Sequence, residues 1–129
     1  MNNSKRTSRV AFGTFLAFMY GGSALASGNP QKGQDLFAEE CGDCHSVAPG
    51  KNKKGPTLHG VLGRKSGSVA DFSGYSDAIK QAGLVWTTDK IDAYITQPKK
   101  IVPAGKMKYD GLEDTASRAD IISYLQTIK

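Results

Sequence analysis

The chain has two cysteines and two histidines in 129 residues. Three of those four side chains, Cys41, Cys44 and His45, fall together in the stretch CGDCH. With no further cysteine there is no disulfide framework to join, so the pair acts as one local unit. Cys-x-x-Cys-His is the spacing that attaches a c-type haem. The two thiols add to the two vinyl groups of one porphyrin as thioethers, and the adjacent imidazole turns under the ring to bind iron on its axis. Cys41 and Cys44 are then the anchors and His45 the proximal ligand. Other chemistries fit less well. A structural zinc ion wants four ligands, and beyond this trio only His59 is an obvious one. A thioredoxin-like dithiol needs a βαβ context, which the pattern lacks. A catalytic cysteine would not have its base directly beside it in sequence, and no third member is evident.

The opposite face of the iron decides between ligand binding and electron transfer. The methionines are Met1, Met19 and Met107, and the first two lie in a segment expected to be removed. Met107, in the loop VPAGKMKYD, has no helical stripe to join, and beside a haem motif it reads as the sixth ligand more readily than as core filler. His59 competes for that place, but in the turn GPTLHG a hydrogen bond to a neighbouring loop backbone suits it better.

Several elements must position these groups. The start, with Lys5, Arg6 and Arg9, an apolar run from Val10 to Tyr20 and the small residues Ala24 and Ala26, has the order of a secretory signal peptide cleaved after Ala26. The run falls short of the ~20 residues a membrane-spanning helix needs. Such a signal, without an organelle-type Arg/Ser bias, predicts export to a bacterial periplasm, an oxidising compartment where a bare cysteine pair is at risk. Residues 1–26 are the signal and 27–129 a single domain. Removing the signal lowers the formal charge from +5 to about +2, so the basic pI of 9.3 is no argument for nucleic acid.

In the domain, Asn29 and Pro30 open a helix that runs into the cysteine motif, with Gly33, Leu36, Phe37 and Cys41 at spacings of three and four. Residues 46–74, rich in Gly, Lys and Ser, read as a loop long enough to need something to wrap around. YSDAIKQAG predicts a short helix, and TTDKIDAYITQP another, capped by Thr87 or Thr88 and stopped before Pro98. Residues 99–111 read as loop. A last helix begins near Asp114 or Thr115 and sets Ile121, Tyr124, Leu125 and Ile128 on one face. There is no internal repeat and no strand pattern, so the class is all-α.

The blocks KGQDLFAEECGDCH, KKGPTLHGVLGR, YSDAI, GLVWT, YITQPKKIVPAGKM and RADIISYL carry a family resemblance. In order and spacing the mature chain resembles the class I cytochromes c of the short mitochondrial or alphaproteobacterial type over essentially its whole length. The resemblance implies a cytochrome c fold, a few helices and long loops around one covalently attached haem c, closed by His45 and Met107. It implies that Pro56 accepts the ring N–H of His45, that Gly33 and Phe37 meet Tyr124, and that Tyr75 and Trp86 donate to a haem propionate. It implies too that Arg64 compensates the propionate's charge and that Tyr94 lies near the Met107 sulfur. The chain departs from the family at Gly105, usually threonine, and at Ile79, usually asparagine. Both changes remove polar partners from the pocket, which predicts a rearranged or more hydrated propionate, or a ligand loop that opens more readily.

A closed iron predicts a one-electron carrier and no enzyme. Lys53, Lys54, Lys99, Lys100, Lys106 and Lys108 would flank the haem edge as a salt-sensitive docking face. The resemblance implies acidic partners, a quinol:cytochrome c reductase and a terminal oxidase or peroxidase, for a monomer without nucleic acid and without stable membrane insertion of the mature chain. The alternative is a haem enzyme or gas sensor with a displaceable Met107.

Overall fold

A computed structural model describes residues 27–129; the signal segment expected at 1–26 lies outside the described residues. The helices are α1 (Pro30–Glu40), α2 (Asp77–Gln81), α3 (Thr88–Thr96), α4 (Pro98–Ile101) and α5 (Thr115–Thr127). Among the described residues the only β-type pairing is an isolated antiparallel bridge between Lys65 and Val85. The class is all-α, as read from the sequence.

The caps are local chemistry. The Asn29 side chain accepts from the N–H groups of Gln31 and Lys32 at 2.9 and 3.1 Å. Thr87 accepts from Lys90 N–H at 3.2 Å, and Asp114 from Ser117 N–H at 2.8 Å. Each side-chain oxygen satisfies a donor that the first helical turn leaves without a partner. The expectation of loop throughout residues 99–111 is corrected by α4, a single turn set by Pro98 at its first position. Proline's fixed φ is already helical there, and its missing N–H costs nothing.

Helices α1 and α5 cross at Gly33. A Cβ on Gly33 would lie 1.9 Å from the Asp120 carbonyl oxygen and 2.9 Å from Tyr124 Cβ, so only glycine lets the backbones approach this closely. One turn on, the Phe37 and Tyr124 rings pack with centroids 5.7 Å apart. The buried core is Phe37, Val61, Ile91, Ile121, Ile122 and Leu125. Ile122 lies outside the single stripe expected on α5, and Ile128 is only half-buried. The reason is that α5 packs on α1 along one side and on α3 along another, so its buried arc is wider than one stripe.

Residues 46–74 form the expected long loop, fastened by side chains. Asn52 accepts from Thr57 N–H at 2.9 Å and donates to the Asp71 carbonyl at 3.2 Å. Thr57 is buried and donates through its hydroxyl to Ala48 O at 2.7 Å. Further along, Trp86 N–H bonds Arg64 O and Gly63 N–H bonds Trp86 O, both at 2.9 Å. This pairing sets the side chains of Arg64 and Trp86 into the same region.

Candidate haem site

At the end of α1 the Cys41 carbonyl accepts from both Cys44 N–H, at 3.1 Å, and His45 N–H, at 2.9 Å. That tight turn gathers Cys41, Cys44 and His45 on one wall of a cavity of about 570 Å³. Met107, Pro56, Arg64, Tyr75, Trp86 and Tyr94 line the same cavity, so every sequence-predicted site residue reaches it. Its volume lies within the ~300–1,000 Å³ typical of small-molecule and cofactor sites. Core side chains Val61, Ile91, Ile121 and Leu125 form its floor.

His45 is held on two sides. Its Nδ1 lies 2.8 Å from the Pro56 carbonyl oxygen. A carbonyl can only accept, so Nδ1 carries the hydrogen and the neutral ring keeps its lone pair on Nε2. Burial lowers the His45 pKa; the Pro56 bond works against this, while Arg64 and Lys53 add to the lowering. The balance favours the uncharged, ligating form. Gly55 lies flat against the ring, where a Cβ would come within 2.3 Å of Cε1. A further bond from Gly55 N–H to Cys44 O, 2.8 Å, locks that approach.

Cys41 and Cys44 are not joined to each other by a disulfide. Burial, then Glu40 and Cys44, push the Cys41 thiol up to about 11. The dithiol reading fails on fold, because among the described residues the only β-type pairing is one isolated bridge and no βαβ unit is present. His59 turns away as expected: its Nδ1 lies 3.2 Å from Val47 O, and the residue is absent from the cavity lining. Neither a fourth zinc ligand nor a distal acid–base group is therefore supplied by His59.

Elsewhere in the lining, Arg64 donates to the carbonyls of His59 and Thr57 at 3.1 and 2.8 Å. Among the described residues no carboxylate pairs with it, and burial lowers its pKa without discharging a guanidinium. Tyr75 Oη accepts from Val69 N–H at 3.1 Å, which leaves its own proton to donate. Tyr94 packs on Trp86, centroids 5.0 Å apart, and burial raises its pKa. An unpaired cation beside phenol and indole donors suits an anionic group at the edge of a large apolar ligand.

The family profile described as cytochrome c matches residues 30–129. The chain is 48% identical over 102 residues to a cytochrome c2 from Rhodopila globiformis, covering 79% of this chain and 95% of that one. It is 46% identical over 103 residues to a cytochrome c from Gibberella zeae, covering 79% and 96%. An Arabidopsis thaliana cytochrome c is 45% identical over 100 residues, covering 77% and 88%. The chain belongs to the cytochrome c family.

As a cytochrome c it is an electron carrier and not an enzyme, and its cofactor is one haem c bound covalently through Cys41 and Cys44. The residues present fit that group: an apolar cavity of the right order of size, two thiols and an oriented imidazole on one wall, and an unpaired guanidinium on another. Ile79 and Gly105, the two departures from the family pattern, also line the cavity. Of the expected docking lysines, Lys54, Lys106 and Lys108 reach the cavity rim, whereas Lys53, Lys99 and Lys100 do not line it.

Two residue pairs escaped the sequence reading. Tyr109 donates to Glu40 at 2.7 Å; burial and then this bond raise the Tyr109 pKa far above the ordinary phenol value. Buried Arg118 donates through Nε to Asp92 at 2.8 Å and through one terminal nitrogen to the carbonyls of Leu112 and Glu113. The one available signal was an aromatic two places after Met107, but nothing local names its partner. No helix among the described residues is long and apolar enough to cross a membrane.

Proposed function

We propose that this cytochrome c is a periplasmic one-electron shuttle whose iron is closed by His45 and Met107, exported by a signal peptide over residues 1–26. It runs as a monomer from a quinol:cytochrome c reductase to a terminal oxidase or peroxidase. The observation that carries the reading is that His45, fixed by Pro56, and Met107, the one methionine outside the signal, line the same cavity. When bound, the haem supplies a one-electron couple.

The chain's residues do the rest. His45 presents Nε2, and its Nδ1–H···O=C bond raises the basicity of the ring. Met107 offers a soft thioether, which favours the ferrous state and raises the potential. Arg64, with donors from Tyr75 and Trp86, would compensate a propionate, and Tyr94, packed on Trp86, would add apolar surface to the same cavity. Lys54, Lys106 and Lys108 in the cavity lining, with the further lysines Lys53, Lys99 and Lys100, attract acidic partner surfaces. Such contacts speed encounter more than they tighten binding, and they weaken as salt rises.

The test is the optical spectrum of the exported protein in both oxidation states. Thioether-linked haem bands and a weak sulfur-to-iron charge-transfer band in the ferric form are expected. Cys44→Ala should alter the first and Met107→Ala abolish the second, with a fall in potential. Attached haem without the sulfur band would remove Met107 from the iron and bring forward the ligand-binding alternative.

A further inference from the structure

The segment 103–110 carries Met107 across the mouth of the cavity, between two well-fastened ends. On one side Val102 is buried, and its N–H bonds Pro98 O at 2.9 Å. On the other, Leu112 N–H bonds Ile95 O at 2.9 Å, and Arg118 clamps the carbonyls of Leu112 and Glu113 at 2.9 and 2.7 Å. Between these ends, among the described residues, one hydrogen bond ties the segment to the body of the protein: Tyr109 Oη to Glu40 Oε2, 2.7 Å. The remaining bond, Gly105 N–H to Val102 O, is a local turn. Glu40 ends α1 and immediately precedes Cys41, and both Glu40 and Tyr109 line the cavity.

We propose that Tyr109 and Glu40 form a latch that holds the Met107 segment closed, which makes Tyr109 a positioning residue for the sixth ligand. The proposal rests on the reading of Met107 as that ligand. An O–H donor on a carboxylate makes a bond about twice as strong as a neutral pair, and here it crosses 69 sequence positions to join the ligand loop to the helix that carries the haem anchors. The latch also accounts for a carboxylate at a rim with Lys54, Lys106 and Lys108. Among the described residues no lysine pairs with Glu40, whose charge is directed at the phenol instead.

Imidazole added to the ferric holoprotein tests this, because it has to displace Met107 and so reads how readily the segment opens. Tyr109→Phe is expected to raise imidazole affinity about tenfold, the scale of one hydrogen bond to a charged group. Glu40→Ala should do the same, and the double variant no more than either single. Glu40→Gln, which keeps an acceptor without the charge, should give a smaller rise. Hydrogen exchange should accelerate over residues 103–110 while the denaturation midpoint of the helices stays in place, a pattern that a merely structural residue would not give. Parental imidazole affinity in Tyr109→Phe, additive effects in the double variant, or helix unfolding that moves in step would each overturn the latch. If the unaltered protein lacks the sulfur-to-iron band, the ligand reading falls and the latch with it. With the band present and Tyr109→Phe unchanged, the latch alone falls.

Discussion

The α1–α5 crossing and the Met107 segment are held in place by different means. The crossing is a backbone-to-backbone contact at Gly33, backed by the Phe37–Tyr124 ring pair and by Ile121 and Leu125. The Met107 segment has mostly exposed neighbours, such as Pro103, Ala104, Lys106 and Lys108, and one hydrogen bond to the body. Burial of apolar surface stabilises the first at ~25 cal/mol per Å². The second is tied down by the Tyr109–Glu40 hydrogen bond and, on the function proposed above, by a bond from Met107 to iron. On that reading one half of the molecule keeps the fold while the other would set access to the iron, and low local stability is the usual property of elements that must move.

The largest effect should come from Gly33→Ala. Its methyl would meet the Asp120 backbone at 1.9 Å, and backbone cannot step aside as a side chain can. We expect a loss of about 3 kcal/mol or more, seen as a lower denaturation midpoint, with the sulfur band lost only when the helices melt. Early loss of the band would mean that the two regions are not separate.

Arg118→Met should come next, because Arg118 stands on the boundary: it belongs to α5 and holds the carbonyls at the end of the ligand segment. Its partner Asp92 is 44% exposed, so water takes over part of the lost pairing, and a cost of about 2 kcal/mol is expected. Both helix melting and imidazole binding should change; a shift in one alone would reassign Arg118 to that region.

Gly105→Thr is a smaller change. The added Cβ meets Val102 O at 3.1 Å, a contact relieved by a slight shift, and the hydroxyl restores a polar partner beside the cavity. The alkaline pH at which the sulfur band disappears should rise by about half a unit to one unit, the worth of one modest hydrogen bond. An unchanged transition would show that glycine here is not what loosens the segment.

The smallest effect concerns α5 alone. Hydrogen bonds from Ser117 hold the exposed Asp114 carboxyl below the usual carboxylate range. A lowered native pKa gives stability that is full above the unfolded value, about 4, and is lost as pH falls through the native value. Asp114→Asn should remove that part of the acid dependence below about pH 4 while leaving imidazole binding at neutral pH untouched. A parental acid limb in the variant would show that the cap has no part in it.

Much of this was legible from the sequence because it is short-range. Cys-x-x-Cys-His fixes its own geometry within one turn. Asn29, Thr87 and Asp114 cap helices through atoms two or three residues away, and Met107 was singled out by the lack of any other thioether outside residues 1–26. Where the reading slipped, the cause was contact from outside the element. Ile122 is buried in a core that α5 shares with α1 and α3, and the single turn α4 has no periodicity to betray it.

What the tertiary structure alone decided is which distant groups meet. Glu40 stands at the end of α1 and Tyr109 in the loop after Met107, and neither has a local feature pointing to the other. Arg118 likewise could not be told from a surface cation until Asp92 and the carbonyls of Leu112 and Glu113 closed around it. Local spacing is dictated by covalent geometry and by bonds within a turn, so it can be read residue by residue. A pairing across 69 positions exists only after the whole chain has closed around its cavity, because every intervening element sets where its two ends lie.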